Sequence, residues 1–313
     1  MGSSINTNIA AMTALQSLNA TNKGLLTTQN RVSTGLRVGD ASDNAAYWSI
    51  ATTMRGDRSS LSTVADALGL GSATAEIAAK GIESAIEIAG KIKDKLVAAR
   101  TPGVDRTKIQ SEIKELQESL KAVVDSATFN GQNWLETDSG EDTTRTIVSS
   151  FSRDSSGNIT VGTISVDLSS TRLIDTGSGG SGGSAGGILD AAIALTGSGS
   201  GEMTVLDLDI ADFDDTDESL QDIEALISGV DAAIEKMTDA ASTLGAVKTR
   251  IDIQKDFANS LMAAIDKGVG QLVDADMNEE STRLQALQVR QQLGIQALGI
   301  ANQSAQMILR LFQ

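Results

Sequence analysis

The chain has 313 residues, with 25 basic and 41 acidic side chains, a formal charge of −16, no Cys, no His, one Pro and 3% aromatic residues. Without His or Cys there is no Ser-His-Asp or Cys-His nucleophile system, no zinc site built on those ligands and no disulfide framework. The acidic balance repels phosphate and excludes a general nucleic-acid partner, and no stretch reaches the ~18 apolar residues that cross a bilayer, so no membrane partner is expected.

The first ten residues, Met1 to Ala10, lack a charged region followed by an apolar core, so no cleavable signal is expected. Met1-Gly2 opens like a myristoylation site, but Asn6 stands where Ser or Thr is wanted. Ala11, Leu15, Leu18, Asn22, Leu25, Gln29, Val32 and Leu36 then step by four and three, the spacing of a narrow helical stripe. Two seam positions, Asn22 and Gln29, are polar, which lowers stability but fixes register. Gly35 and Gly39 predict a break near residues 34–42.

From Leu61 the series Leu61, Val64, Leu68, Gly71, Ala75, Ala78, Ile82, Ala85, Ala89, Ile92, Leu96, Ala99 runs unbroken in the same rhythm. At about 1.5 Å per residue this stretch alone spans roughly 60 Å, too long for a compact globule. Thr101-Pro102-Gly103 stops it. A second helix follows, capped by Asp105, with Ile109, Ile113, Leu116, Leu120, Val123 and Ala127 on one face; the short connection predicts an antiparallel return. Asn130-Gly131 marks a tight turn.

Residues 138–215 read differently. Ile147–Phe151 and Ile159–Leu168 alternate apolar and polar around Asp154–Asn158 and predict a β-hairpin. Gly177–Gly187 is almost pure Gly and Ser, a flexible loop or linker, and Gly197–Gly201 is another. Ile188–Leu195 is a short apolar run, and Val205–Ile210 predicts one more strand. The expectation is a small, weakly cored region carried on loops.

A second long helix starts near residues 216–219. Its stripe is Leu220, Ile223, Ile227, Val230, Ile234, Met237, Ala241, Leu244, Lys248, Ile251, Lys255, Ala258, Met262, Ile265. Gly268 and Gly270 are expected to interrupt it. A last helix carries Leu284, Leu287, Gln291, Gly294, Leu298, Ala301, Ala305, Ile308 and Phe312. Both terminal helices have small and polar seams, so alone they bury little; they are expected to fray in a monomer and to order against copies of themselves.

Chemical motifs are weak. Gly177, Gly179 and Gly182 have dinucleotide-fingerprint spacing but no strand–turn–helix around them, which favours a linker. Asp274–Glu280 begins like an EF-hand loop, yet Glu279 stands at the glycine position and Gln285 at the closing Glu, so an acid-rich helix start is the better reading. The acidic run Asp207–Glu218 reads as a solvated strand end, and Asn158-Ile159-Thr160 is a formal glycosylation sequon. Trp48 beside Tyr47 is expected to pack a junction between segments. No paired-carboxylate pocket is identifiable, and neither enzyme activity nor any cofactor or metal is expected.

These residues resemble bacterial flagellin, of the rhizobial type, at both ends of the chain. The likeness rests on Ser4–Asn8, on Asn30–Ala51 (NRVSTGLRVGDASDNAAYWSIA), on Ala127–Gly131, and on Leu244–Val247, Leu272–Asp276 and Ala301–Gln303 with Leu309. The resemblance implies a mainly α fold: a long antiparallel coiled-coil-like helical rod built from both chain ends, with a small β-containing variable outer domain. It divides the chain into an N-terminal inner-tube helix (1–40), the N-terminal rod half (41–137), the outer domain (138–215), the C-terminal rod half (216–270) and a C-terminal inner-tube helix (271–313).

It further implies a structural subunit that polymerises into the hollow helical filament for swimming. Export would proceed through the flagellar type III apparatus to an extracellular location. The partners implied are self, possibly with sister flagellins, hook-associated junction and cap proteins, and an export chaperone at the C-terminal helix. Leu15, Leu18, Leu25, Leu287, Leu298, Ala301 and Ile308 are the expected assembly residues. The family's plant-receptor segment corresponds to Asn30, Gly35, Asp43, Asn44, Tyr47 and Trp48 with their neighbours; Ser42, Asn44, Tyr47 and Trp48 depart from the eliciting pattern. Residues 89–98 lack the Arg-Glu-Leu core that animal receptors read. Weak recognition by both is expected. The alternatives are a cytosolic coiled-coil scaffold and an acidic calcium-binding secreted protein.

Overall fold

The computed structural model describes residues 8–138, 140, 143–154, 156–177, 186–195 and 201–311, the side chains of 304–311 excepted. In chain order the elements are α1 (Ile9–Thr34), α2 (Ala45–Ala99), α3 (Arg106–Ser126), β1 (Thr128–Phe129), β2 (Gln132–Asn133), β3 (Glu136–Thr137), β4 (Thr144–Arg153), β5 (Ile159–Asp167), β6 (Ile174–Asp175), β7 (Ile193–Ala194), β8 (Glu202–Met203), α4 (Asp217–Val273) and α5 (Met277–Leu311). The fold is mainly α, with long helices at both ends of the chain and short strands in the middle. It divides into two units, one of residues 1–58 and 262–313 and one of residues 59–261; α2 and α4 each contribute a stretch to both.

In the unit of residues 59–261, every position of the predicted α2 stripe, Leu61 to Ala99, is buried. On α4 the predicted positions are buried or half-buried, and Leu226, Ala233 and Ala240 on the adjoining edge are buried more deeply than Ile227, Ile234 and Ala241. The α2–α3 connection is held by Arg106, itself 7% exposed. Its guanidinium donates to Ala99 O (3.0 Å), to Phe213 O (3.3 Å) and to Asp215 Oδ1 (2.7 Å), which joins the end of α2 and the starts of α3 and α4. Asp105 caps α3 by accepting from Lys108 N. Asn130 and Gly131 both take positive φ (50° and 75°) in the β1–β2 turn.

The middle of the chain differs from the sequence expectation in two ways. First, it is not weakly cored. Ile147, Ile164, Val166, Leu168, Leu173, Leu189, Val205, Leu208 and Ile210 belong to one hydrophobic cluster with the buried stripes of α2, α3 and α4. The helices accommodate these side chains through glycine notches. A Cβ on Gly71 would lie 2.6 Å from Ile147 Cδ1, one on Gly81 2.7 Å from Leu135 Cδ1, and one on Gly229 2.6 Å from Ile193 Cδ1. Second, Val205–Ile210 is not a strand. Its backbone is satisfied by two glutamines of α3: Gln117 Nε2 donates to Val205 O and Leu208 O, Gln110 Nε2 donates to Leu208 O, and Ile210 N donates to Gln110 Oε1. With those groups occupied, no partner strand is required.

The β4–β5 hairpin forms as predicted, antiparallel from Thr144↔Asp167 to Arg153↔Ile159, with a bulge between Val148 and Ser150. Most of the Gly/Ser-rich stretch lies outside the described residues, as does most of Gly197–Gly201. Its end is packed: Gly186 N donates to Asp175 Oδ2 (3.0 Å), and a Cβ on Gly187 would lie 2.6 Å from Leu173 O.

In the unit of residues 1–58 and 262–313, α1 ends where predicted, on Gly35 in the left-handed region (φ 74°). The helix that was expected to break at Gly268 and Gly270 continues to Val273. Both glycines keep helical φ; Val269 and Val273, buried with Val38 and Ala51, anchor that last stretch. The two connections of this unit are laced by backbone bonds: Arg37 N and Val38 N donate to Val273 O, and Ala275 N donates to Gly35 O (2.9 Å).

Candidate assembly interface

The first and last helices, α1 and α5, are paired along their lengths. Asn8 starts the pair: its Oδ1 accepts from Ala11 N and caps α1, while its Nδ2 donates to Ala301 O (3.0 Å). Midway, Gln291 Nε2 donates to Asn22 Oδ1 (2.9 Å). At the other end Arg31 donates to Glu280 Oε1 (3.1 Å), which also accepts from Arg283 (3.3 Å). Asp276 caps α5 by accepting from Asn278 N and Glu279 N, so the acid-rich stretch is a helix start. Among the described residues no group of acids is arranged to hold a metal, and no helix is long and apolar enough to cross a membrane.

The seam between the two helices is thin. Leu18, Leu25, Leu287, Leu298 and Ala301 lie on it, half-buried. One glycine lets the helices approach: a Cβ on Gly294 would sit 3.2 Å from Leu18 Cδ1, whereas one on Gly24 would make ordinary contact with Leu287 Cδ1 at 3.6 Å. The only described side chains of α1 and α5 that are fully buried belong to Thr28 and Glu280. Gln29, predicted in the seam, is exposed, and Thr28 takes its place, because an α-helix drifts relative to a strict seven-residue repeat.

Outside the seam the pair presents apolar side chains with no cover. Leu15 is 48% exposed, and Ile9, Met12, Leu26, Val289, Leu293, Ile295 and Ile300 are more exposed still. Of the expected assembly residues whose side chains are described, Leu15 alone stands on this uncovered surface. Ile308 lies among the side chains outside the described residues. The spacing of the uncovered set is irregular, so no sequence periodicity marks it.

The segment 30–51 has structural duties of its own. Asn30 O accepts from the Thr34 hydroxyl, Gly35 supplies the left-handed cap, Asp43 Oδ2 accepts from Gly39 N, and Asn44 Oδ1 caps α2 by accepting from Ala46 N and Tyr47 N. Tyr47 and Trp48 do not pack a junction as expected. They are 42% and 38% exposed on the first turn of α2, while Ala51, one turn further on, is buried.

Long helices around a continuous core, and a thin terminal helix pair with uncovered apolar surface, are the architecture of a structural subunit. Residues 5–139 match the model of the bacterial flagellin N-terminal helical region, and residues 227–312 that of the bacterial flagellin C-terminal helical region. The chain is 47% identical to flagellin C of Rhizobium meliloti (strain 1021) over 323 residues, covering 99% of both chains. It is 43% identical to a flagellin of Brucella melitensis over 311 residues, again covering 99% of both. A crystal structure of Bacillus cereus flagellin aligns with a TM-score of 0.40 and 16% identity, over 60% of this chain and 86% of that one. The chain belongs to the bacterial flagellin family and is a structural subunit of the flagellar filament.

Proposed function

We propose that the chain polymerises through its paired terminal helices, with the uncovered apolar surface of α1 and α5 seated against further copies. The observation that carries this reading is the coexistence of a thin intrachain seam with exposed Met12, Leu15, Leu26, Leu293 and Ile300 on the same two helices. Apolar surface of this kind is unfavourable in water and is removed by association. Identical subunits joined through non-closing contacts generate a helix rather than a ring. Because the pair buries so little alone, covering it by neighbours couples its stability to subunit concentration. Leu18, Leu25, Leu287, Leu298 and Ala301 then act by shaping the pair, and Leu15 by direct contact with a neighbour.

The same reading divides the chain functionally at 40, 137, 215 and 270, with residues 138–215 as the outer part. It includes export through the flagellar type III apparatus, a chaperone on the C-terminal helix, hook-associated junction and cap proteins, and mixed filaments with sister flagellins. It also includes weak recognition of residues 30–51 by plant receptors, for which a strong oxidative burst to that peptide is the contrary result.

Electron microscopy of the purified chain, before and after seeding, tests the central claim beside a truncation lacking residues 1–40 and 275–313. Long tubes from the full chain only are expected. Discrete particles from both would favour a closed coiled-coil assembly.

A further inference from the structure

The terminal helices are electrostatically unlike the rest of the chain. Residues 1–39 contain Lys23, Arg31 and Arg37 and no acid, and residues 281–313 contain Arg283, Arg290 and Arg310 and no acid. All 41 acidic residues of this −16 chain therefore lie within residues 40–280. Three of the six cations, Arg31, Arg283 and Arg290, line one groove between α1 and α5, of about 740 Å³, together with Thr27, Thr28 and Thr282.

The groove is short of negative charge. Arg31 and Arg283 share a single oxygen of Glu280, and Arg283 also reaches Glu279 (3.4 Å). The Nε–H of Arg31 and the Oε2 of Glu280 are both buried without a hydrogen-bond partner, so neither is open to an incoming group. Arg290 lines the groove, is exposed, and forms no ion pair among the described residues. Three guanidinium groups thus face two carboxylates, and it is the exposed fork of Arg290 that is left over. Unused guanidinium donors bind carboxylates well because their planar fork matches the two oxygens.

We infer that this groove receives carboxylates from residues 40–280 of a second copy of the chain. The inference rests on the filament-subunit reading: in an assembly of identical chains the occupant present at every groove is another copy, and each copy brings a strongly acidic central region. Complementary potentials would then help set the orientation in which a subunit docks, as well as the rate at which it does so. The apolar surface described above supplies attraction without direction; the groove supplies register.

The test uses the full chain with Arg290→Glu, since Arg290 holds no ion-pair partner among the described residues and its loss leaves the helix pair intact. The critical concentration for polymerisation is expected to rise about tenfold at low salt, with the gap closing as added salt screens the groove. Circular dichroism of the unassembled variant should match that of the original chain. In parallel, Arg290→Lys, mixed as heavy- and light-isotope chains and assembled, is treated with a zero-length carbodiimide. Mass spectrometry should find the introduced amine joined to an Asp or Glu of residues 40–280 in the other isotope. Unchanged assembly of Arg290→Glu, or crosslinks to Glu279 and Glu280 of the same chain only, would overturn the inference while the filament reading stands. Failure of the original chain to polymerise would remove both.

Discussion

The side-chain amide of Gln291 donates to the side-chain oxygen of Asn22 across 2.9 Å, joining the last helix of the chain to the first over 269 positions of sequence. Both residues occupy the apolar rhythm of their helices, and each is the other's partner. A polar pair in a helix seam trades stability for register. Asn22→Leu should therefore lower the stability of the pair by about 1 kcal/mol, because it strands the Gln291 amide. The double change Asn22→Leu with Gln291→Leu should raise thermal stability above the original while loosening register. Since the chain has no Cys, disulfide trapping between Leu18→Cys and Gly294→Cys checks this directly; trapping should fall in the double variant.

The two kinds of assembly residue should separate by experiment. Leu298 is half-buried against α1, so Leu298→Asp should lower the monomer's helicity and also block polymerisation. Leu15 is exposed, so Leu15→Asp should leave monomer circular dichroism unchanged and still block polymerisation. Normal filaments from Leu15→Asp would show that the uncovered surface is not the subunit contact.

Helix glycines should fall into two classes. Gly229→Ala places a Cβ within 2.6 Å of two Ile193 carbons, and Gly71→Ala places one 2.6 Å from Ile147. Each is expected to cost about 1–3 kcal/mol through overpacking. Gly90 and Gly245 face open space. Alanine there should stabilise by roughly 0.5–1 kcal/mol through helix propensity. Urea denaturation of the four variants tests the division.

Two carboxylates should give stability opposite pH dependences. Burial pushes Asp190 above the ordinary carboxylate range, with Asp175 and Asp207 adding to it. The folded state then binds the proton more tightly than the unfolded chain, so this group makes stability fall as pH rises from the unfolded value, ~3.9, through the raised folded one. Asp190→Asn keeps an acceptor for Asp175 N and should be the more stable protein near neutrality, with no advantage in acid.

Asp252 has the other sign. The hydroxyl of buried Ser72 donates to it (2.9 Å), Lys248 adds a second bond (3.2 Å), and its carboxyl is held below the ordinary range. That contribution is present above the unfolded value and lost as pH falls through the folded one. Ser72→Ala should cost about 0.5–1 kcal/mol near neutrality and less in acid, read from thermal melts across pH.

Much of this was legible in the sequence because it is local and periodic. The twelve-residue stripe from Leu61 to Ala99 is buried throughout, and Asp105, Asn130-Gly131 and the hairpin around residues 154–158 do what their chemistry dictates. The misreadings have a common origin in tertiary contacts. Val205–Ile210 has the alternation of a strand, but Gln110 and Gln117 take over its backbone groups. Gly268 and Gly270 are helix weakeners that packing of Val269 and Val273 overrides. Trp48 looks like a core residue by type and stands 38% exposed, while the small Ala51 one turn on is the buried residue.

The sequence by itself determined the long helices, their caps, the stop at Thr101-Pro102-Gly103 and the family, since each depends on residues close together in the chain or on an order of motifs. Only the tertiary structure decided which face of α1 and α5 is already covered, which apolar side chains remain open to a neighbour, and that the central strands share the core of the helices. Those outcomes depend on residues tens to hundreds of positions apart meeting at close approaches of a few ångströms, and seven-residue periodicity holds no record of the partner it will meet.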